Sequence, residues 1–409
     1  MSIPEGERVS PRWLLAVMSG ALYIFLSSTF FSIAVNSLSL GLMAICWVAL
    51  MMVSRRWDVA ATPLDYFFLA YAFAEIISTL FSRNMPQALF FSRRVLLIGI
   101  VYFLASRLTT ESLIRRSVAV LLGTASVVAL IGVAKLLVAK PEDVIRLGIF
   151  QFYMTTSELM MIAALFLFPF VIHPETPLRV RLAALAGIVP VLVTLYATVT
   201  RGAYLAFGAG VLLIALVRNK KLIIPLAILI LLMIFFAPPY VESRLKSIVD
   251  MQHPENVSRL MMWRAGLKIF AEHPIVGVGD IDLGVLMKEH AEPGYPDLWG
   301  HLHNVGLQFL ATLGIIGFTA VIAMFVMMAV TEWRIYAKNR GDWFRGSLTL
   351  GALAVFAGFQ VNGLTEWTFG DQEVVILLWI SLGFALAVGR LGGNEPSPSG
   401  VKENGGRER

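Results

Sequence analysis

Residues 301–330 read HLHNVGLQFLATLGIIGFTAVIAMFVMMAV, a polar start followed by an apolar run long enough to cross a bilayer. Similar runs recur along the 409 residues, of which 57% are hydrophobic and only 15% are charged, with a mean hydropathy of +0.76. This composition predicts an integral membrane protein with many spans. His301 and His303 stand at the mouth of the span that follows them, so a polar cluster there is a candidate functional site.

Hydropathy predicts an all-α polytopic fold with about twelve transmembrane helices. The predicted spans are 12–29, 33–53, 65–82, 94–106, 117–138, 158–172, 182–199, 202–217, 221–237, 304–330, 346–361 and 373–389. The polar residues 1–11 show no cleavage pattern of a signal peptide, so we expect the first span to be retained. With both termini in the cytoplasm, most basic residues fall in short cytoplasmic connections, as the positive-inside rule requires.

This topology divides the chain into four parts. Residues 1–237 hold spans one to nine, and residues 238–303 form a loop domain on the outer side. Residues 304–390 hold spans ten to twelve, and the polar residues 391–409 are expected to form a disordered cytoplasmic tail.

Charge and cysteine content exclude several functions. The net charge of +6 follows from basic cytoplasmic loops that meet anionic lipids, and the sequence has no nucleic-acid-binding signature. The single cysteine, Cys46, lies in an apolar run, which excludes a disulfide within the chain and argues against a thiolate metal site.

Four arginines lie in or beside the short predicted outer connections between spans three and four and between spans seven and eight, against the usual bias: Arg83, Arg93, Arg94 and Arg201. Cations kept on that side predict an anionic ligand. For Arg93 and Arg94 the alternative is that their side chains extend to lipid headgroups. Arg201 lies in the tight connection Thr200-Arg201-Gly202 between spans seven and eight, which restricts its freedom and favours a functional role.

The outer loop contains one predicted amphipathic helix, from Ser258 to Phe270. Its apolar stripe is predicted to consist of Leu260, Trp263, Leu267 and Phe270. Arg264 and Lys268 share another face at i, i+4 spacing, so not all cations of the helix can contact one ligand.

Three chemical interpretations of the loop compete. Asp280-Ile281-Asp282 can hold a divalent ion that binds a diphosphate, although this short motif is common in polar loops. His303, where the loop enters span ten, has a side chain suited to general base catalysis, or it hydrogen-bonds the backbone at the interface. The loop can also act as a structural plug, which its many charges make less attractive.

The motifs, taken in order, resemble the O-antigen ligase and polymerase superfamily. They are Thr200-Arg201-Gly202-Ala203, Ser258-Arg259 with Trp263, the stretch from His273 to Gly279, and His303-Asn304 with Gly314 and Gly317. The resemblance covers about residues 190–330. In the first five spans only hydropathy and span number agree.

The resemblance implies a membrane glycosyltransferase of GT-C-like architecture in the bacterial inner membrane, with its active site facing the periplasm. Such an O-antigen ligase acts in lipopolysaccharide biosynthesis and transfers polysaccharide from undecaprenyl diphosphate to the lipid A core. The resemblance also implies inverting transfer without a metal or other cofactor. The expected partners are thus the lipid-linked polysaccharide, the lipid A-core acceptor and membrane lipids.

Within this chemistry, arginines offset the diphosphate charge, because a guanidinium binds phosphate oxygens bidentately and stays protonated. We expect Arg201 and Arg259 to act in catalysis, with Arg264 as the alternative second arginine or a diphosphate ligand. His303 is the expected general base or substrate-positioning residue. The other expected substrate-binding residues are His301, Asn304, Gln308, Arg83, Arg93 and Arg94.

Other functions remain open at this stage. An O-antigen polymerase shares the superfamily and differs in its acceptor, and a protein O-oligosaccharyltransferase is a more distant alternative. A transporter is the non-enzyme alternative. It is less favoured because the long loop has no counterpart in the first half of the chain.

Overall fold

A computed structural model describes residues 12–139, 146–235, 239–291 and 300–391, and within these ranges all regular structure is helical. The predicted cytoplasmic tail lies outside the described residues, apart from its first residue. The α-helices are α1 (Arg12–Ser28), α2 (Ile33–Ser54), α3 (Asp65–Leu80), α4 (Met85–Ser92), α5 (Gly99–Arg107), α6 (Glu111–Val138), α7 (Tyr153–Ile172), α8 (Leu178–Ala197), α9 (Arg201–Arg218), α10 (Ile223–Phe235), α11 (Pro239–Lys246), α12 (Pro254–Glu272), α13 (Gly284–His290), α14 (Val305–Asn339), α15 (Trp343–Asn362) and α16 (Gln372–Leu391). Two 3-10 segments, Arg93–Ile98 and Lys220–Leu222, join their neighbouring helices.

A helix overlaps each of the twelve predicted spans. In the described ranges, nine helical segments are long and apolar enough to cross a membrane, which supports a multi-pass membrane protein. One of them, Met85–Arg107, runs through α4, the 3-10 segment and α5. The three other predicted positions hold α1, α3 and α10, which are 17, 16 and 13 residues long. The count of twelve therefore stays a prediction.

The centre of the bundle is formed by α7, α15 and α16. In each of these helices at least 78% of an apolar stretch of 18 residues is buried. The corresponding share is 28% for α2 at the periphery. Continuous apolar sequence, rather than one apolar stripe, is typical of helices surrounded by other helices. The packing of these three helices fixes the position of their ends, which carry polar residues described below.

The connection between α10 and α14 folds onto the bundle through α12 and α13. A second apolar cluster forms here, separate from the main core, and includes Met262, Ile269, Leu286 and Leu302. The buried face of α12 consists of Met262, Ala265, Gly266 and Ile269, so the predicted stripe was wrong. Leu267 is exposed, because α12 turns its small residues inward, and Gly266 allows Leu302 to approach its backbone.

A backbone connection fixes this region to α14. The amides of Val278 and Gly279 donate to the carbonyls of Ala311 and Thr312, and the Ile315 amide donates to Pro274. The connection passes a kink in α14 at Gly314, where φ is 62° and ψ is −167°. Only glycine adopts this conformation without strain.

Gly314→Ala is expected to lower stability by about 1–3 kcal/mol, because a strained backbone conformation costs about that much. A Cβ at Gly314 also meets the Ile275 carbonyl. The measurement is thermal unfolding of the purified protein in detergent. The matched control is Gly306→Ala in the same helix, where the nearest atom lies 3.4 Å from a Cβ. Equal unfolding temperatures of the two variants would contradict the assignment of strain to Gly314.

Candidate functional site

A cavity of about 380 Å³ lies at the end of the bundle where α7 and α9 begin and α15 ends. Its lining includes four arginines and two glutamates, which are Arg146, Arg201, Arg244, Arg259, Glu255 and Glu366. His303, just before α14, completes this polar lining. Positive side chains exceed negative ones by two, so the cavity is suited to an anion.

Arg201 is the first residue of α9, and its guanidinium is almost fully buried. Nη1 donates to the carbonyl and hydroxyl oxygens of Ser247 at 2.6 and 2.8 Å. Nη2 donates to Glu255 at 2.9 Å and to Asn256 at 3.1 Å. The buried fork therefore holds the α11–α12 turn against α9 and presents a fixed positive charge at the cavity wall.

Position 202, directly after Arg201, is a glycine for a steric reason. A Cβ on Gly202 would lie 2.8 Å from Asn362 Oδ1 and 3.1 Å from Thr365 Oγ1. A side chain at position 202 would therefore force Asn362 or Thr365 to shift where the start of α9 contacts the end of α15. This close approach sets the distance between Arg201 and the segment that carries Glu366.

Glu255 joins three arginines of the cavity. Arg244 binds both of its oxygens at 2.9 Å, Arg201 contacts one at 2.9 Å, and Arg146 contacts the other at 3.3 Å. Partial burial raises the pKa of Glu255, but the hydrogen bonds and charge of Arg244, with the charges of Arg201 and Arg146, lower that pKa to about 2. Glu255 is thus ionised throughout the physiological pH range and keeps the arginines together.

A second carboxylate, Glu366, joins His303 to Arg259. Its Oε2 lies 2.8 Å from His303 Nδ1, and its Oε1 accepts a hydrogen bond from Arg259 Nη2. An ionised carboxylate only accepts, so Nδ1 is the donor in this contact. Both side chains are more than nine-tenths buried, which fixes the imidazole orientation.

Backbone strain is found at two positions in or beside the cavity. His303 has φ of 47°, and Val199, two residues before Arg201, has φ of 52°. Positive φ is uncommon for residues other than glycine and is especially unfavourable for a β-branched residue. Such conformations persist where surrounding contacts enforce them, and they are found most often at functional sites.

Three other predicted site residues close to His303 in the sequence, His301, Asn304 and Gln308, do not line the cavity. His301 places its ring 4.2 Å from the His303 ring, and burial, with a smaller effect of the His303 charge, lowers the pKa of His301 to about 3. Asn304 caps α14 by accepting from the Leu307 amide, and Gln308 accepts from the Leu302 amide. Both side chains thus hold the entry into α14, and neither lines the cavity, so a role of Asn304 and Gln308 in orienting substrate stays a prediction.

The other predicted arginines lie apart from the cavity. Arg264 is on the exposed side of α12. Arg83 lies 3.7 Å from Glu289 in a half-exposed ion pair. Arg93 and Arg94 line a different cavity. The structure thus brings together Arg201, Arg259 and His303, and it separates them from Arg264, Arg83, Arg93 and Arg94.

The two aspartates of the D-x-D motif have protein partners. Asp280 lies 3.3 Å from Arg94, and Asp282 accepts from the Gly284 amide at 2.7 Å. Across the described ranges, no group of three or more histidine, cysteine, aspartate or glutamate residues is arranged to hold a metal. The contacts of these aspartates are those of residues that shape the loop.

The sequence interpretation missed Arg146, Arg244, Glu255 and Glu366 as cavity residues. Arg146 had a usable signal, because it is basic and lies in the predicted outer connection between spans five and six. The glutamates gave none, since acidic residues have little effect on topology. Only the folded chain shows which arginines they contact.

The apolar helices and the cavity define a multi-pass membrane protein with an arginine-rich cavity at one end of the bundle. A family model described as O-antigen ligase matches residues 186–322, about a third of the chain, and confirms the resemblance to the O-antigen ligase and polymerase superfamily. This match supports a glycosyl-transferring activity in general and lipid-linked polysaccharide as the kind of substrate. No curated protein matches the chain.

Proposed function

We propose that this protein is an O-antigen ligase of the bacterial inner membrane. It transfers polysaccharide from undecaprenyl diphosphate to the lipid A core on the periplasmic side, by inverting and metal-independent glycosyl transfer. The observation that carries the proposal is the cavity in which four arginines outnumber two glutamates around His303.

The charge balance of the cavity fits the leaving group. When the glycosidic bond breaks, negative charge develops on the diphosphate, and fixed cations stabilise it more strongly in a buried cavity than in water. Arg201 and Arg259 line the same cavity as His303, and Arg146 and Arg244 add two further charges. Guanidinium groups bind phosphate oxygens bidentately, so these arginines supply the stabilisation that a divalent ion provides elsewhere.

The contact between His303 and Glu366 supports a general base. Nε2 of His303 takes the proton of the acceptor hydroxyl. At the same time the hydroxyl oxygen attacks the anomeric carbon of the donor sugar, and the bond from that carbon to the diphosphate breaks. The Glu366 carboxylate stabilises the imidazolium that forms, and Arg259 holds that carboxylate in place. A single displacement of this kind inverts the anomeric configuration.

The test is a strain that lacks this chain, complemented with the wild-type chain or with the empty vector. Lipopolysaccharide and lipid-linked polysaccharide are extracted from the same cells and separated on gels. The proposal expects the empty-vector strain to lose core-linked polymer and to accumulate long polymer on the lipid carrier. Lipid-linked chains that shorten to single repeats would identify a polymerase instead.

The metal-independent mechanism has its own measurement in a purified system. Transfer is expected to continue in excess EDTA. If EDTA abolishes transfer and a divalent ion restores it, the arginine mechanism is overturned. Asp280 and Asp282 then become the candidate ligands of that ion.

Glu366→Gln is expected to lower kcat by up to about 10⁴-fold, which is the loss when an amide replaces the carboxylate that orients a general-base histidine. The donor KM is expected to change little, because Glu366 acts through His303 and Arg259 rather than on the diphosphate. The measurement is steady-state transfer by the purified protein. The matched control is Glu373→Gln, another buried glutamate, which lies outside the cavity lining. If both variants lose activity equally, the positioning role of Glu366 is wrong.

A further inference from the structure

A second cavity, larger than the first at about 660 Å³, lies between α2, the α4–α5 segment and the start of α16. We call it the α2–α5 groove, defined by lining residues that include Leu40, Trp47, Arg93, Phe103 and Gln372. None of the residues that line the first cavity also lines this groove. The mechanism proposed above does not use it.

The groove is polar at one end and apolar along the rest of its length. Ser37 and Gln372, joined by a hydrogen bond of 3.0 Å, lie at the same end as Arg93 and Arg94. Trp47 on α2 and Phe103 on α5 lie one to three helical turns further along and contact each other edge to face. This shape and polarity match a lipid whose charged headgroup lies at the mouth and whose chains lie along the helices.

The two arginines at the mouth favour a phosphorylated headgroup. Arg93 is exposed, and its guanidinium lies 3.7 Å from the centroid of the Phe90 ring, with no carboxylate within ion-pair distance among the described residues. Arg94 contacts Asp280 through Nε, but its buried Nη1 has no hydrogen-bond partner in the described part of the chain. A phosphate at the mouth would offset the charges of Arg93 and Arg94.

One segment connects the groove to the first cavity. Thr365 and Glu366 line the first cavity, and Phe369 and Gly370 line the groove. The Trp367 ring between them lies 5.5 Å from the Arg94 guanidinium. A lipid in the groove would therefore carry its headgroup next to the segment that orients His303.

We infer that the α2–α5 groove binds the lipid acceptor, with an acyl chain along α2 and α5 and a phosphate on Arg93 and Arg94. This inference rests on the proposed function, because transfer between two lipids requires two lipid sites. The four-arginine cavity serves the diphosphate donor. The occupant is thus a phosphorylated, acylated glycolipid.

Two glycines allow a matched test. Gly41 lines the groove, and no atom lies within 4 Å of a Cβ built there, so Gly41→Phe fills the groove without a clash at its Cβ. Gly20 on α1 has equally open surroundings and lines neither cavity, which makes Gly20→Phe the control. Arg93→Gln removes the exposed charge, and Arg93→Lys keeps it.

The experiment is native mass spectrometry of the full chain in detergent, titrated with bis-phosphorylated, six-chain lipid A, with undecaprenyl diphosphate or with phosphatidylglycerol. We expect Gly41→Phe and Arg93→Gln to weaken lipid A binding at least tenfold and to leave undecaprenyl diphosphate binding unchanged. Gly20→Phe is expected to match the wild type for both ligands, and Arg93→Lys is expected to bind lipid A better than Arg93→Gln.

The outcomes separate this inference from the proposed function. If both groove variants lose undecaprenyl diphosphate instead, or if phosphatidylglycerol competes as well as lipid A, the inference is overturned. Unchanged lipid A binding in both variants also overturns it. If lipid A binds in the groove but the wild-type chain transfers nothing to it, the proposed function fails while the groove assignment holds.

Discussion

His303→Ala is expected to lower transfer by roughly 10²- to 10⁴-fold, the usual contribution of a general base. The variant leaves Glu366 paired with Arg259 and removes the imidazole, the proposed base, from the cavity lining. In cells, core-linked polymer is expected to vanish while lipid-linked polymer accumulates. The measurement is the pair of gels described above, with kcat from the purified protein.

A folding defect must be separated from the chemical one, because His303 is buried and has φ of 47°. His303→Asn supplies this control, since asparagine adopts positive φ more readily than most residues and has no titratable ring. His301→Ala removes the neighbouring histidine and serves as a comparison for His303→Ala. The His301 pKa of about 3 keeps that ring neutral above about pH 4, and we expect transfer to remain within about tenfold of the wild type. Wild-type transfer by His303→Asn would exclude His303 as the base.

Arg201→Ala is expected to lower kcat by about 10²- to 10³-fold, comparable to the loss of one fixed donor to a developing negative charge. Arg201→Lys is expected to retain part of the activity, because a single ammonium replaces a bidentate fork. The measurement is transfer by the purified variants, with insertion checked by size-exclusion chromatography. Arg218→Ala, at the opposite end of α9, is the matched control. Full activity of Arg201→Ala would remove Arg201 from the mechanism.

Arg201 also has a structural role, since it bonds to Ser247, Glu255 and Asn256. Glu255→Gln distinguishes the two roles. It removes the ion pair but keeps an oxygen that accepts from Arg201, and it leaves the guanidinium in the cavity. If Arg201 stabilises the leaving group, Glu255→Gln retains most of the transfer. If Arg201 only holds α12 in place, the two variants lose transfer and thermal stability together.

Several elements could be predicted because their signals are local. The apolar runs predicted a helix at every span, and the motif pieces from Thr200 to Gly317 predicted the family that residues 186–322 match. Gly314 was part of that pattern, and the structure gives its reason, which is a backbone conformation that only glycine adopts easily. These features depend on hydropathy, backbone freedom and spacing, all of which can be derived from the order of residues.

The predicted apolar stripe of α12 was wrong, and the capping contacts of Asn304 and Gln308 were not predicted, for a common reason. Helical periodicity gives the faces of a helix but does not tell which face meets a neighbour. Gly266 faces Leu302 because the connection folds back on α14, and Asn304 caps α14 because the chain turns there. Both outcomes depend on contacts between segments that are distant in sequence.

The sequence by itself determined that this is a multi-helix membrane protein that resembles the O-antigen ligase and polymerase superfamily, and it singled out Arg201, Arg259 and His303. Only the tertiary structure decided that these three residues share a cavity with Arg146, Arg244, Glu255 and Glu366, and that Arg93 and Arg94 line another. The physical reason is that helix formation follows from local composition. The partner of a buried charge is set by packing between distant segments, as with Glu366, which lies 63 residues after His303.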